Sequence, residues 1–162
     1  MTTFLVVVLR LVVGGTFLLA GLLKVRDPAA FAVEIANYQV MPWVAPYVAI
    51  TLPCFEIAIG LAALASPSRW CRAGAAWAAI LMAAFTVLVT QAAGRGIDIQ
   101  CGCFGGTERV GWTTVLRDLL LLAASCALFM LVSPRAPLNA LLDADLPLLP
   151  RDNALPEARS DL

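Results

Sequence analysis

The run Phe4–Leu23, FLVVVLRLVVGGTFLLAGLL, is apolar from end to end apart from Arg10. About twenty such residues match the thickness of a bilayer's hydrocarbon core when they coil into a helix. The segment before the run carries no Lys or Arg, and no small-x-small cleavage site follows it, so the run reads as an uncleaved transmembrane helix and not as a signal peptide. The whole chain agrees: 61% of its 162 residues are hydrophobic, 14% are charged, and mean hydropathy is +0.88. An average soluble domain carries roughly 25% charge.

Three further runs have the same character. Val44 to Ala65 forms a second span, with Pro53, Cys54 and Glu56 near its middle. A third runs from Ala73 to Ala93, where Ala75, Ala79 and Ala83 recur every four residues and allow close helix approach. The fourth covers Trp112 to Val132. Between the first two, Asp27 and Pro28 open a short interfacial helix with Phe31, Ile35 and Tyr38 on one face. Trp43, Tyr47, Trp70 and Trp112 fall at headgroup level. The expected fold is therefore all-α: an integral membrane four-helix bundle over residues 1–132, followed by a proline-rich tail over 133–162.

Four spans put both termini on one side of the membrane. Charge alone does not choose the side, because Lys24, Arg26, Arg95 and Arg109 roughly balance Arg69, Arg72 and Arg135. A formal net charge of +0 with no basic run excludes nucleic acid as a partner and leaves the lipid bilayer. The chain has no histidine, which removes the usual metal ligand and neutral-pH acid/base group. Its five cysteines remain as the candidate chemistry.

Two of them, Cys101 and Cys103, flank Gly102 in the polar, glycine-rich loop between the third and fourth spans. A disulfide across one residue closes a very small ring, departs from relaxed geometry, and so exchanges more readily than a structural bond. That argument places redox activity ahead of a structural staple. A zinc site would need ligands from a second subunit. Lys24, Arg95, Arg109 and Arg117 fall on the same side and would favour a thiolate. A reactive disulfide persists in an oxidising exterior, which favours this loop outside and the termini in the cytoplasm.

Cys54, Cys71 and Cys126 lie in apolar surroundings, where a thiol is usually inert. Cys54 and Cys126 are the candidates for any intramembrane electron path. Arg10 and Glu56 are charges that lipid does not tolerate alone, and counting residues from the helix ends brings them to similar depth, so an interhelical ion pair is expected.

Arg10, Gly14, Phe17, Ala20-Gly21, Lys24, Asp27-Pro28, Phe31, Pro53, Glu56, Gly60 and above all Cys101-Gly102-Cys103-Phe104-Gly105 resemble the MauE branch of the DoxX-like membrane proteins. The resemblance covers about Leu9 to Leu131. It implies a four-helix protein of the bacterial inner membrane that takes part in methylamine metabolism. Its implied work is maturing the disulfide-rich small subunit of methylamine dehydrogenase, an exported client, beside a thioredoxin-like, MauD-type partner. On that reading Cys101 and Cys103 are the catalytic pair of a thiol-disulfide oxidoreductase or of an accessory maturation factor. No cofactor motif is evident, and quinone is the cofactor for which the mechanism leaves room. Two alternatives stay open: a non-catalytic scaffold that recruits a redox protein, and a DoxX-like subunit of a sulfur-compound quinone oxidoreductase.

Overall fold

A computed structural model of the chain describes residues 2–39, 42–65, 68–96 and 111–132. Five α-helices account for nearly all of them: α1 (Thr2–Arg26), α2 (Pro28–Asn37), α3 (Ala45–Leu64), α4 (Ser68–Gly94) and α5 (Trp112–Leu131). A single 3-10 turn, Pro42–Val44, leads into α3. Four helical stretches, Phe4–Arg26, Pro42–Leu64, Ser68–Gly94 and Trp112–Leu131, are long and apolar enough to cross a membrane. The expected all-α architecture of four spans with a short helix in the first loop is therefore present.

Local rules set the helix ends. Asp27 accepts a hydrogen bond from the Ala30 amide at 2.9 Å, and Pro28 at the first helical position costs no hydrogen bond there, so α2 starts where α1 stops. Helix α4 begins five residues before the expected Ala73 and takes in Trp70, Cys71 and Arg72. Its extra turn is stabilised from outside. Arg72 Nη1 donates to the Val132 carbonyl at 3.1 Å, and its guanidinium lies 4.1 Å from the centre of the Phe129 ring.

The helices pack as a ring, α1 against α3, α3 against α4, α4 against α5 and α5 against α1, with no close approach between α3 and α5. Helix α2 lies mainly against α3. The tightest seam is α1 to α3. A Cβ at Gly60 would lie 2.7 Å from the Leu18 amide nitrogen, and one at Gly21 would lie 2.8 Å from the Pro53 carbonyl oxygen. Only glycine fits backbones this close, the arrangement by which membrane helices gain packing when water supplies no drive. Helix α3 runs through Pro53, whose carbonyl sits at this seam.

These contacts fix the register between the two helices. Gly14 meets Gly60 and Leu64, while Gly21, two turns on, meets Pro53 and Ile57, two turns back. Arg10 accordingly lies at the C-terminal end of α3 and donates through Nη1 to the Ala65 carbonyl at 3.3 Å. The expected Arg10–Glu56 ion pair is absent. Glu56 is nine residues back from Ala65, about 13 Å along the helix axis. Counting from helix ends misjudged the depth because α3 stops some two turns short of where α1 begins.

Val13, Phe17, Ile59, Cys71, Ala75, Ala78, Met82, Leu128 and Val132 form the buried core. Trp43, Tyr47, Trp70 and Trp112 are all more than half exposed at the bundle's ends, as membrane-interface aromatics should be.

Candidate functional site

At the end of the bundle opposite the N-terminus, α1 and α4 finish and α3 and α5 begin. Here α1 brings in Lys24, whose Nζ lies 2.7 Å from Oε1 and 2.8 Å from Oε2 of Glu56 on α3. Both side chains are almost wholly enclosed, at 3% and 2% exposure. Two rings close over the ammonium: Phe31 of α2 has its centre 5.3 Å away and Phe85 of α4 5.9 Å away. A lysine buried this deeply needs both a carboxylate and aromatic faces to replace its lost hydration.

A second pair comes from one helix. Arg117 donates to Asp118 Oδ1 through Nε at 3.2 Å and Nη2 at 3.1 Å, with Asp118 buried and Arg117 partly exposed. Both pairs line one small, partly open cavity of about 20 Å³, together with Thr16, Phe17, Ala20, Met82, Phe85 and Leu121. That is room for one water. Arg117 and Leu121 are shared with a larger neighbour, a groove of about 370 Å³ between α1 and α5. Its other walls are Val12, Thr113, Leu116, Leu120 and Ala124.

Just outside the spans, Glu34 of α2 faces the same region. Partial burial pushes its carboxyl above the usual carboxylate range; Lys24 pulls it back down and Asp27 adds to the rise.

Several sequence expectations change against this geometry. Lys24 and Arg117 lie at one end of the bundle, each engaged by a carboxylate. Cys101, Cys103 and Arg109 lie outside the described residues, as does the tail over 133–162. The chain enters that loop region after Gly96 and returns at Gly111, both at the charged end. Cys54 and Cys126 are exposed on the outer surface of α3 and α5, helices that do not approach each other, so they cannot pair within one chain. Cys71 is buried at the opposite end, against the Arg10 guanidinium. Among the described residues no group of three or more His, Cys, Asp or Glu could hold a metal ion.

Sequence reasoning did not find the Arg117–Asp118 pair. Side chains one residue apart on a helix diverge, so adjacency carries no signal of pairing. The available signal was Asp118 itself, an acid inside an apolar span.

The family model described as methylamine utilisation protein MauE matches residues 2–132. The methylamine utilization protein MauE of Paracoccus denitrificans is 34% identical over 123 residues, 74% of this chain. The match spans 66% of that relative's length, a little under two thirds. No solved structure matches the chain.

Proposed function

Because the chain belongs to the methylamine utilisation protein MauE family, we propose that it serves methylamine utilisation as a multi-pass membrane factor handling thiols and disulfides of exported proteins. The client is the disulfide-rich small subunit of methylamine dehydrogenase, and the working partner is a thioredoxin-like, MauD-type protein. In this reading the protein sits in the bacterial inner membrane with its termini cytoplasmic and the Cys101–Cys103 loop on the periplasmic side.

The observation that carries the proposal is the gathering of Lys24, Glu56, Arg117 and Asp118 at the end of the bundle where the chain leaves at Gly96 and returns at Gly111. Intramembrane charges cost several kcal/mol each and tend to mark function. Four around one cavity, below the root of a two-cysteine loop, suit thiol chemistry, which must move protons.

The exchange runs as two displacements. A partner thiolate attacks one sulfur of the Cys101–Cys103 disulfide, forming a mixed disulfide and releasing the other cysteine as a thiolate. The partner's second thiolate then attacks the partner's own sulfur in the mixed disulfide, so the partner leaves oxidised, and the two released thiolates take up the two protons its thiols gave up. The reverse sequence oxidises the pair, and relative potentials set the direction.

Replacing Cys101 and Cys103 together by serine, with membrane insertion verified, should leave the client with unpaired thiols and prevent trapping of a mixed disulfide with the partner. Normal client maturation by that variant would remove the redox assignment.

A further inference from the structure

The end of the bundle where α1 and α4 start and α3 and α5 finish holds Arg10, Arg69 and Arg72 and, among the described residues, no Asp or Glu. The described acids, Asp27, Glu34, Glu56 and Asp118, all lie toward the opposite end, where Lys24, Arg26, Arg95 and Arg117 balance them. Within the described part of the chain, one end therefore carries positive charge that no carboxylate offsets.

Arg69 and Arg72 stand three residues apart at the start of α4, so they are neighbours on one face. Arg69 is exposed and has no hydrogen-bond or ion-pair partner among the described residues. Arg72 is held in place. One N–H goes to the Val132 carbonyl and the guanidinium lies over the Phe129 ring, which leaves the rest of its five donors unused among the described residues. Arg10 is half-buried, bonded to the Ala65 carbonyl and packed against Cys71, so it adds charge and not contact. Trp70, between the two arginines in sequence and 56% exposed, sets their level at the lipid headgroups.

We propose that Arg69 and Arg72 bind the phosphate of an anionic phospholipid. Guanidinium forks match phosphate oxygens in pairs, and a fork already fixed by Val132 and Phe129 gives up little freedom on binding. The net charge of the lipid decides which kind is taken. Phosphatidylcholine or phosphatidylethanolamine would bring a cation of its own to this end, where the described residues offer arginines and no carboxylate to receive it. An acyl chain has a seat as well. Ala73 and Ala76 lie one turn deeper, below Arg69 and Arg72, and their small side chains let a chain lie close to the helix before it reaches the exposed Ile80. The site does not depend on the thiol chemistry proposed above.

The test is native mass spectrometry of the full-length protein in a mild detergent, titrated with phosphatidylglycerol and with phosphatidylcholine of the same acyl chains. Phosphatidylglycerol should bind about tenfold more tightly, and excess glycerol 3-phosphate should not displace it. Arg69→Gln removes no contact of the fold, so its unfolding midpoint in lipid-free detergent should match the native one. It should weaken phosphatidylglycerol about fivefold and leave phosphatidylcholine unchanged. Arg72→Lys keeps the charge but loses the fork, and should give a smaller loss of the same sign. Arg26→Gln/Arg95→Gln takes two exposed cations from the other end and should retain the full preference. A phosphatidylglycerol with a diazirine near its glycerol should crosslink to the start of α4 and the end of α5. Equal affinities for the two lipids, an unchanged Arg69→Gln protein, the same loss in the Arg26/Arg95 variant, or crosslinks at the other end would each overturn the site. Displacement by glycerol 3-phosphate would mean that a free anion suffices, and would overturn the lipid as its ligand.

Discussion

Lys24 Nζ on α1 sits within 2.8 Å of both carboxylate oxygens of Glu56 on α3, a contact across the seam where glycines bring the two helices closest. The pair depends on that seam. Were the register one turn different, the ammonium would face Leu52 or Gly60, and each charge would be stranded in an apolar interior. Thus packing of small residues sets the electrostatics, and the electrostatics in turn penalises any slip of the packing.

Removing one partner should therefore cost far more than removing both. Lys24→Met alone or Glu56→Gln alone should destabilise the protein by about 3–5 kcal/mol, since a buried group is left uncompensated. The double variant should recover much of that loss. Unfolding in detergent micelles under increasing denaturant, arranged as a double-mutant cycle, measures the coupling. Additive losses would mean that the two side chains do not pair.

The seam itself is tested by Gly60→Ala. Its new methyl would meet the Leu18 backbone at 2.7 Å, and backbone cannot move aside as a side-chain tip can. A loss of about 1–3 kcal/mol is expected from the overpacking. Gly15→Ala is the matched control, because nothing lies within 4 Å of its added carbon. It should be neutral or slightly stabilising in the same unfolding assay, as alanine is the better helix former.

The spans were legible because an apolar run of some twenty residues has few other uses. The short interfacial helix was legible because Asp27-Pro28 is a strong start signal. The charge partners were not. Depth along a helix can be counted from a sequence only when both helices begin and end at the same level, and α3 ends short of α1. The glycines at 14, 21 and 60 held the missing information, since small residues mark where backbones touch, but they do not say which glycine meets which. Likewise Cys54 and Cys126 could be placed inside spans by position. Which way Cys54 faced depended on a helix rotation that α3 hides, because that helix is apolar nearly all round.

Stability should fall as pH rises through the Glu34 titration. Burial raises this carboxyl in the folded protein, so between its ordinary value near 4.5 and the raised folded value the native state binds more protons than the unfolded state. The protonated form favours folding, and the advantage is lost as pH climbs through that window. Glu34→Gln should flatten this part of the stability curve and leave the protein somewhat more stable at neutral pH. Thermal unfolding from pH 4 to 8, native against variant, checks it. A native curve that rises through the same interval, or a variant curve identical to it, would contradict the assignment.

Thiol accessibility should separate the three described cysteines by orientation. Cys71 is fully buried, whereas Cys54 and Cys126 are exposed on surfaces that lie within the spans. A water-soluble maleimide should reach none of the three in protein embedded in a bilayer, because a thiol held in hydrocarbon is neither hydrated nor ionised. A lipophilic maleimide dissolved in the membrane should modify Cys54 and Cys126 and spare Cys71 until the bundle is unfolded. Single-cysteine variants resolved by mass spectrometry read each site. Rapid modification of Cys71 in the folded protein would mean that the α4 start is not packed against the core. Protection of Cys54 or Cys126 from the lipophilic reagent would mean that another chain covers that helix face.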